Sequence, residues 1–97
     1  MYGTIARMKV SRDNREKLQR TLGEVEARPV EGFLASHLLV PDRRTDEAYL
    51  VVFFTDRDAY FRNADDPAQH EDYLRFRAHL EADPEWIDGE WVSYERR

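Results

Sequence analysis

Hydrophobic and polar positions change their spacing along the chain, and these changes predict four strands. In residues 2–10, YGTIARMKV, apolar and polar side chains roughly alternate, as in a strand with one buried face. Residues 33–40, FLASHLLV, and residues 86–95, WIDGEWVSYE, are also predicted strands. Residues 48–55, AYLVVFFT, are almost wholly apolar, which is typical of a central strand that is covered on both faces.

A first helix is predicted between the first two strands. Leu18, Leu22 and Val25 recur at intervals of three and four residues and form one apolar stripe. Asp13 and Glu16 stand three residues apart, which is the spacing of a capping box at a helix start. The stripe is therefore expected to pack on the sheet.

A short helix and a longer one are predicted between the third and fourth strands. Thr55 and Asp58 repeat the capping-box spacing and open the short helix. Asp66 is a favourable N-cap, Pro67 suits the first helical position, and the longer helix is predicted to end near Asp83. Its buried stripe is predicted to consist of Tyr73, Phe76 and Leu80.

The order of these elements predicts an α+β fold of the ferredoxin-like type, βαββαβ, with a four-stranded antiparallel sheet and its helices on one face. Residues 41–47, PDRRTDE, are the predicted hairpin loop. Because residues 48–55 are apolar on both faces, the second face of the sheet also needs a cover. A second copy of the domain, packed sheet to sheet over Trp86 or Trp91, would provide it, so a homodimer is predicted.

Composition narrows the class of protein. The 97 residues predict one domain, residues 1–97, and 41% hydrophobic with 36% charged residues is typical of a globular chain. The absence of cysteine excludes disulfides and thiolate metal sites. The N-terminal stretch MYGTIARMKV does not resemble a signal peptide and no segment is long enough to cross a membrane, so a cytoplasmic protein without membrane association is expected.

The charge pattern argues against nucleic acid as a partner. The net charge is −5, and the 15 basic residues are interleaved with 20 acidic ones. Nucleic-acid binding depends on clustered Lys and Arg that contact phosphates, and no such stripe is present. No metal site is expected either, because the HExxH spacing is absent and because His70 and His79, nine positions apart, lie on different helix faces.

One stretch combines several of these features: residues 49–76, YLVVFFTDRDAYFRNADDPAQHEDYLRF. It contains an apolar strand that ends in Phe53–Phe54 and a short helix with Tyr60–Phe61. A polar break before Asp66–Pro67 follows, and His70 lies early in the next helix. On this stretch, and on its length and order of elements, the chain resembles the antibiotic biosynthesis monooxygenase-like domains of the dimeric α+β barrel superfamily. The resemblance covers nearly the whole chain.

The resemblance implies a homodimer whose two sheets form a barrel, with a pocket between sheet and helices in each protomer. Enzymes of this family oxidise aromatic polyketides or quinols with molecular oxygen, often without metal or flavin, so no cofactor is expected. Another branch degrades heme. That branch resembles a pattern with an Asn on the first strand and a Trp on the helical segment. Here YGTIARMKV has no Asn and DAYFRNADD has no Trp, so heme degradation is not expected of this chain.

Three residues are candidates for catalysis: His70, Asn63 and Tyr73. His70 lies near the fourth position of its helix, where the helix dipole favours a neutral imidazole that suits a general base or a hydrogen-bond partner of a phenolic substrate. An alternative is that His70 is a half-solvated residue at the boundary of the core. Asn63 precedes the break, either near the pocket mouth or as a helix C-cap.

Five residues are candidates for substrate binding: His37, Tyr60, Phe61, Phe76 and Trp91. Aromatic walls suit a flat organic ligand, although the same side chains also build ordinary cores. His37 shares a strand face with Phe33 and Leu39 and suits the pocket, the barrel interior or a core position.

Two further polar residues have structural explanations. Gln69 is expected to return its side chain to the backbone N–H of Asp66, and His79 is expected to be solvated.

The sequence thus favours a cofactor-independent monooxygenase that acts on a small aromatic or quinone-like molecule. A non-catalytic small-molecule-binding or sensing dimer is the alternative, and a purely structural domain is a third possibility.

Overall fold

The computed structural model describes residues 1–43 and 46–95, and its elements follow the predicted order. The strands are β1 (Tyr2–Lys9), β2 (Phe33–Leu39), β3 (Glu47–Phe54) and β4 (Glu85–Glu90). The α-helices are α1 (Arg15–Glu26), α2 (Arg57–Ala64) and α3 (Pro67–Arg77), and a 3₁₀ turn (Arg12–Asn14) precedes α1.

The sheet confirms the ferredoxin-like α+β fold. Its four strands are antiparallel in the order β2-β3-β1-β4, so the apolar β3 is an interior strand as predicted. Ala6 of β1 stands opposite Leu50 of β3 and Trp86 of β4. Because side chains alternate along a strand, these three lie on the same face as the helices. The structure thus places Trp86 on the helix side of the sheet.

The hydrophobic core fills one half of the space between sheet and helices. The predicted stripe of α1 is buried, and Phe76 and Leu80 join it from the α3 side. Their partners on the sheet are Ala6, Met8, Val10, Ala48 and Leu50. Full burial of a side chain such as Leu18 or Met8 contributes about 1.5–3 kcal/mol to the stability of the fold. The other half of this space holds the cavity described below.

The start of α1 differs from the prediction. Ser11 caps the 3₁₀ turn by accepting a hydrogen bond from the Asn14 N–H, and Asn14 then precedes α1 without a side-chain cap. The predicted capping box of Asp13 and Glu16 is therefore wrong, because the chain enters the helix through a 3₁₀ turn rather than at Asp13.

The starts of the other helices confirm one prediction and correct two. Asp66 caps α3 through the Ala68 N–H at 2.8 Å, with proline at the first helical position, as predicted. α2 is capped by Asp56 through the Ala59 N–H at 2.8 Å, one residue after the predicted Thr55. The predicted return of Gln69 to Asp66 does not form, because the Asp66 N–H donates to the Asn63 carbonyl at 3.1 Å.

Two predicted boundaries move inward. α3 ends at Arg77, well before Asp83, and the intervening residues make tighter turns such as the 3.0 Å bond from the Leu80 N–H to the Arg77 carbonyl. β4 ends at Glu90, and residues 91–95 form no regular strand. The predicted hairpin loop of residues 41–47 includes Arg44 and Thr45, which lie outside the described residues.

His79 is not solvated as predicted. It lies after α3, is half-buried, and its Nε2 is 2.9 Å from the Thr21 hydroxyl of α1. The His79 side chain therefore connects the turn after α3 to α1.

None of the helices in residues 1–43 and 46–95 covers the second face of the sheet, which we call the open face. Ile5, Val51, Phe53 and Ile87 point to it by strand alternation, and Ile87 is 67% exposed. Among the helices of the described residues, none has the length and apolar character that a membrane crossing requires.

Candidate functional site

A cavity of about 330 Å³ lies between the sheet and the helices. It occupies the region where α1 ends and α3 begins, beside Thr4 of β1, Val52 of β3 and Asp88 of β4. Its volume lies at the lower end of the range for small-molecule sites, about 300–1,000 Å³.

Aromatic side chains form a large part of the cavity wall. Tyr73 is central: its ring centroid is 5.3 Å from that of Phe76 and 6.3 Å from that of Trp86. Phe54 and Tyr60 line the cavity on the side of α2, with their rings edge to face at 5.5 Å. Offset and edge-on rings of this kind provide apolar surface for a flat ligand.

The three candidate catalytic residues line this one cavity. Asn63 comes from the end of α2, and His70 and Tyr73 come from the first two turns of α3. The His70 and Tyr73 rings are nearly parallel, with centroids 6.4 Å apart and planes 26° apart. His70 is also exposed to solvent, which places it at the cavity mouth.

Tyr60 and Asp88 form a polar contact on the cavity wall. The Tyr60 hydroxyl donates a hydrogen bond of 2.7 Å to Asp88. Burial and this bond to the carboxylate raise the pKa of Tyr60 well above its ordinary value, while a hydrogen bond with Thr4 opposes the shift. Tyr60 therefore stays protonated and serves as a hydrogen-bond donor rather than as a base.

A second polar group lies near the end of α1. The Arg28 guanidinium donates from Nε to Asp72 at 2.9 Å, and Glu26 lines the cavity beside this ion pair. Burial raises the pKa of Glu26 above its ordinary 4.5; the Asp72 charge adds to this, while a hydrogen bond with Ser36 and the charge of Arg28 oppose it. The wall therefore holds a carboxyl group that takes up a proton more readily than one in water.

Glu26, Arg28 and Asp72 were not among the candidate residues predicted from the sequence. One signal was present for Glu26, which follows Leu18 and Leu22 at intervals of four and so occupies a position of the α1 apolar stripe. Arg28 and Asp72 carried no such signal, because they lie 44 residues apart and meet only in the folded chain.

Two of the five predicted substrate-binding residues, Tyr60 and Phe76, line the cavity, and the other three lie outside it. Phe61 packs on Tyr2 with ring centroids 5.8 Å apart. His37 and Trp91 lie on the open face against Phe53, at centroid distances of 6.1 Å and 4.6 Å.

Across residues 1–43 and 46–95, no group of three or more His, Asp or Glu side chains is arranged to hold a metal ion. The chain contains no cysteine that could add a ligand.

Comparisons with known proteins point to one family. Residues 1–78 match the family model described as antibiotic biosynthesis monooxygenase. No match was found among curated protein sequences.

Solved structures share the fold at low sequence identity. A protein of Deinococcus radiodurans classed with the antibiotic biosynthesis monooxygenases has a TM-score of 0.80 and 11% identity, covering 100% of this chain and 98% of its own. One from Caulobacter crescentus has a TM-score of 0.81 and 13% identity, covering 95% and 90%. SnoaB of Streptomyces nogalater, described as a cofactor-independent oxygenase, has a TM-score of 0.67 and 19% identity, covering 98% and 94%.

Proposed function

Because the chain belongs to the antibiotic biosynthesis monooxygenase family, we propose that it is a monooxygenase of a small aromatic or quinone-like molecule that needs neither metal nor flavin. The observation that carries the proposal is that His70, Asn63 and Tyr73 line one aromatic cavity. The similarity in fold to SnoaB, a cofactor-independent oxygenase, supports the same chemistry.

In the proposed reaction, the ligand ring lies against Tyr73, Phe76 and Trp86, which keep water away from it. Asn63 donates a hydrogen bond to a ligand oxygen, and His70 exchanges protons at the cavity mouth. For an anthrone, the ring CH₂ becomes a carbonyl: one oxygen atom of O₂ enters the product, and the other leaves as water with the two hydrogens. The electrons come from the substrate, whose anion is rich enough in electrons to reduce O₂.

The proposed assembly is a homodimer whose two protomers associate through the open face. Ile87 and Leu39 are 67% and 62% exposed there, in a sheet whose other face is already covered by helices. Exposed apolar side chains on one continuous face favour association, and a second copy offers a matching surface by two-fold symmetry. The family resemblance points to the same assembly.

A non-catalytic ligand-binding module is the second candidate. It is favoured by one observation: among the described residues, the His70 ring stacks on Tyr73 but has no side-chain hydrogen-bond partner. A cavity of this kind can bind an aromatic molecule without any turnover.

The test is oxygen consumption with anthrones and hydroquinones, measured for the wild type and for His70→Ala. We expect the rate to fall by about 10²–10⁴-fold in the variant, because a positioned proton-transfer group contributes that much. Ligand affinity, measured by calorimetry without oxygen, should change little.

His79→Gln is the matched control, since His79 lies outside the cavity lining and contacts Thr21 instead. It should retain the wild-type rate. Tight ligand binding by the wild type without oxygen uptake would favour the binding module over the monooxygenase.

A further inference from the structure

We propose that Glu26 is a catalytic residue of this cavity, whose carboxylate accepts the proton that a hydroxyl-bearing aromatic ligand loses. The inference rests on the proposed function and adds a residue and a ligand feature to it. The ligand must carry a phenolic or enolic hydroxyl at the end of the cavity formed by α1.

The position of Glu26 is unusual for a carboxylate. It is the last residue of α1 and stands on the stripe formed by Leu18 and Leu22, whose other positions carry buried apolar side chains. An unscreened charge at a helix C-terminus is also disfavoured by the helix dipole. Glu26 therefore costs stability at this position, and such a cost is typical of a functional residue.

The charged neighbours of Glu26 leave it able to act as a base. Arg28 donates its hydrogen bond to Asp72, so this cation is engaged by the other carboxylate. Ser36 of β2 lies beside Glu26, and Asp72 of α3 acts on it as a like charge. A carboxylate that is partly desolvated and beside a second negative charge holds a proton more tightly than one in water.

The remaining titratable groups of the cavity do not fill this role. His70 lies at the solvent-exposed mouth, and Tyr60 is held as a donor by Asp88. Tyr73 is enclosed among aromatic rings. Asp72 is paired with Arg28, and Asp88 accepts from Tyr60, whereas among the described residues neither a cation nor a tyrosine hydroxyl is hydrogen-bonded to Glu26.

Glu26 also provides a route for the proton to leave. A second, more open cleft of about 460 Å³ lies between α1 and β2, and Glu26 and Leu50 line both spaces. Ser36 lines this second cleft beside Glu26. A proton taken up on the cavity side can therefore pass to water on the other side.

The proposed step is a simple proton transfer. The ligand O–H bond breaks, its electron pair stays on the ligand oxygen, and the proton moves to a carboxylate oxygen of Glu26. The resulting anion is the species that reduces O₂ in the proposed reaction, so no further reductant is needed.

The first experiment measures binding without oxygen, so that it does not depend on turnover. The probes are 1,4-dihydroxynaphthalene and 1,4-dimethoxynaphthalene, and the proteins are the wild type and Glu26→Leu, which restores the apolar stripe and should fold. We expect the wild type to prefer the hydroxylated probe about 10-fold, because a hydrogen bond to a charged acceptor contributes at least that much. In Glu26→Leu the preference should be lost.

An unchanged preference in Glu26→Leu overturns the assignment of Glu26. Failure of the wild type to bind either probe contradicts the Glu26 assignment and the proposed function together. A preference that depends on Glu26 without any oxygen uptake keeps the contact and rejects the monooxygenase.

The second experiment measures kcat/KM for oxygen uptake in Glu26→Gln, which keeps the side-chain shape but cannot accept a proton. We expect a fall of about 10²–10⁴-fold. Glu24→Gln is the matched control, because Glu24 is an exposed glutamate on the same helix, paired with Arg75 outside the cavity. It should retain wild-type activity.

The pH profile separates a base from a merely structural residue. Only the ionised Glu26 accepts a proton, so kcat/KM of the wild type should rise with pH through the raised pKa of this group, above 4.5. The rising limb should vanish in Glu26→Gln. A Glu26→Gln profile with the wild-type shape would show that another group is the base.

Discussion

At the residue scale, two carboxylates are withdrawn from water and differ in how their charge is compensated. Glu47 on the open face accepts hydrogen bonds of 2.6 Å from Arg7 and from Tyr49, and its side chain is 3% exposed. A direct cation and a hydroxyl donor stabilise its ionised form. Glu26 has a serine and an aspartate as neighbours, and burial raises its pKa. The first arrangement is that of a structural ion pair, and the second is that of a group prepared to take a proton.

Glycine at position 3 is required by close packing on the open face. A Cβ atom at Gly3 would lie 1.8 Å from the Val52 carbonyl oxygen and 2.8 Å from Nε1 of Trp91. The Trp91 indole N–H donates to that same carbonyl at 3.1 Å. Any side chain at position 3 would therefore displace both the strand and Trp91.

Gly3→Ala should reduce the free energy of unfolding by about 3 kcal/mol, in the upper range for overpacking. Urea denaturation followed by circular dichroism measures this loss. Gly89→Ala is the control, because Gly89 stands directly opposite Gly3 and a Cβ there would meet nothing within 4 Å. Equal stability of the two variants would show that the close approach at Gly3 does not constrain the fold.

At the element scale, the ends of the helices build the cavity. α1 ends at Glu26 and α3 begins at Pro67, and α2 lies across the remaining opening with Tyr60 and Asn63 facing inward. The start of α2 therefore matters for the site, because it sets the position of these two side chains.

Asp56→Ala should destabilise the protein by about 1 kcal/mol, since it removes the side chain that accepts from the Ala59 N–H. Thermal unfolding measures the change. Asp58→Ala is the matched control in the same helical turn, where the carboxylate caps no N–H and only the small dipole contribution is lost. A larger effect from Asp58 than from Asp56 would contradict the cap seen here.

At the scale of the whole molecule, the two faces of the sheet differ in what covers them. One face supports the core and the cavity, and the open face carries apolar side chains without a helical cover. The proposed homodimer would bury this open face and leave one cavity in each protomer.

Ile87→Asp should shift the protein toward the monomer, because a charge buried in an apolar interface is costly to desolvate. Sedimentation analysis of the wild type and the variant measures the mass. Leu74→Asp is the control, since Leu74 is 51% exposed on α3, on the helix side of the sheet. A monomeric wild type, or a dimer that is unaffected by Ile87→Asp, would rule out association through this face.

The sequence alone determined the elements, their order and the sheet type. The spacing of apolar residues, the N-cap at Asp66 and the proline that follows it are local properties of the chain. It also indicated the family and pointed to His70, Asn63 and Tyr73. Only the tertiary structure decided which side chains share a space. Arg28 follows α1 and Asp72 lies in α3, 44 residues away along the chain, and Phe61 and Trp91 are aromatic like the cavity wall but pack elsewhere. Composition and periodicity describe each segment by itself, whereas a site depends on distances between segments, which are set by the packing of helices on the sheet.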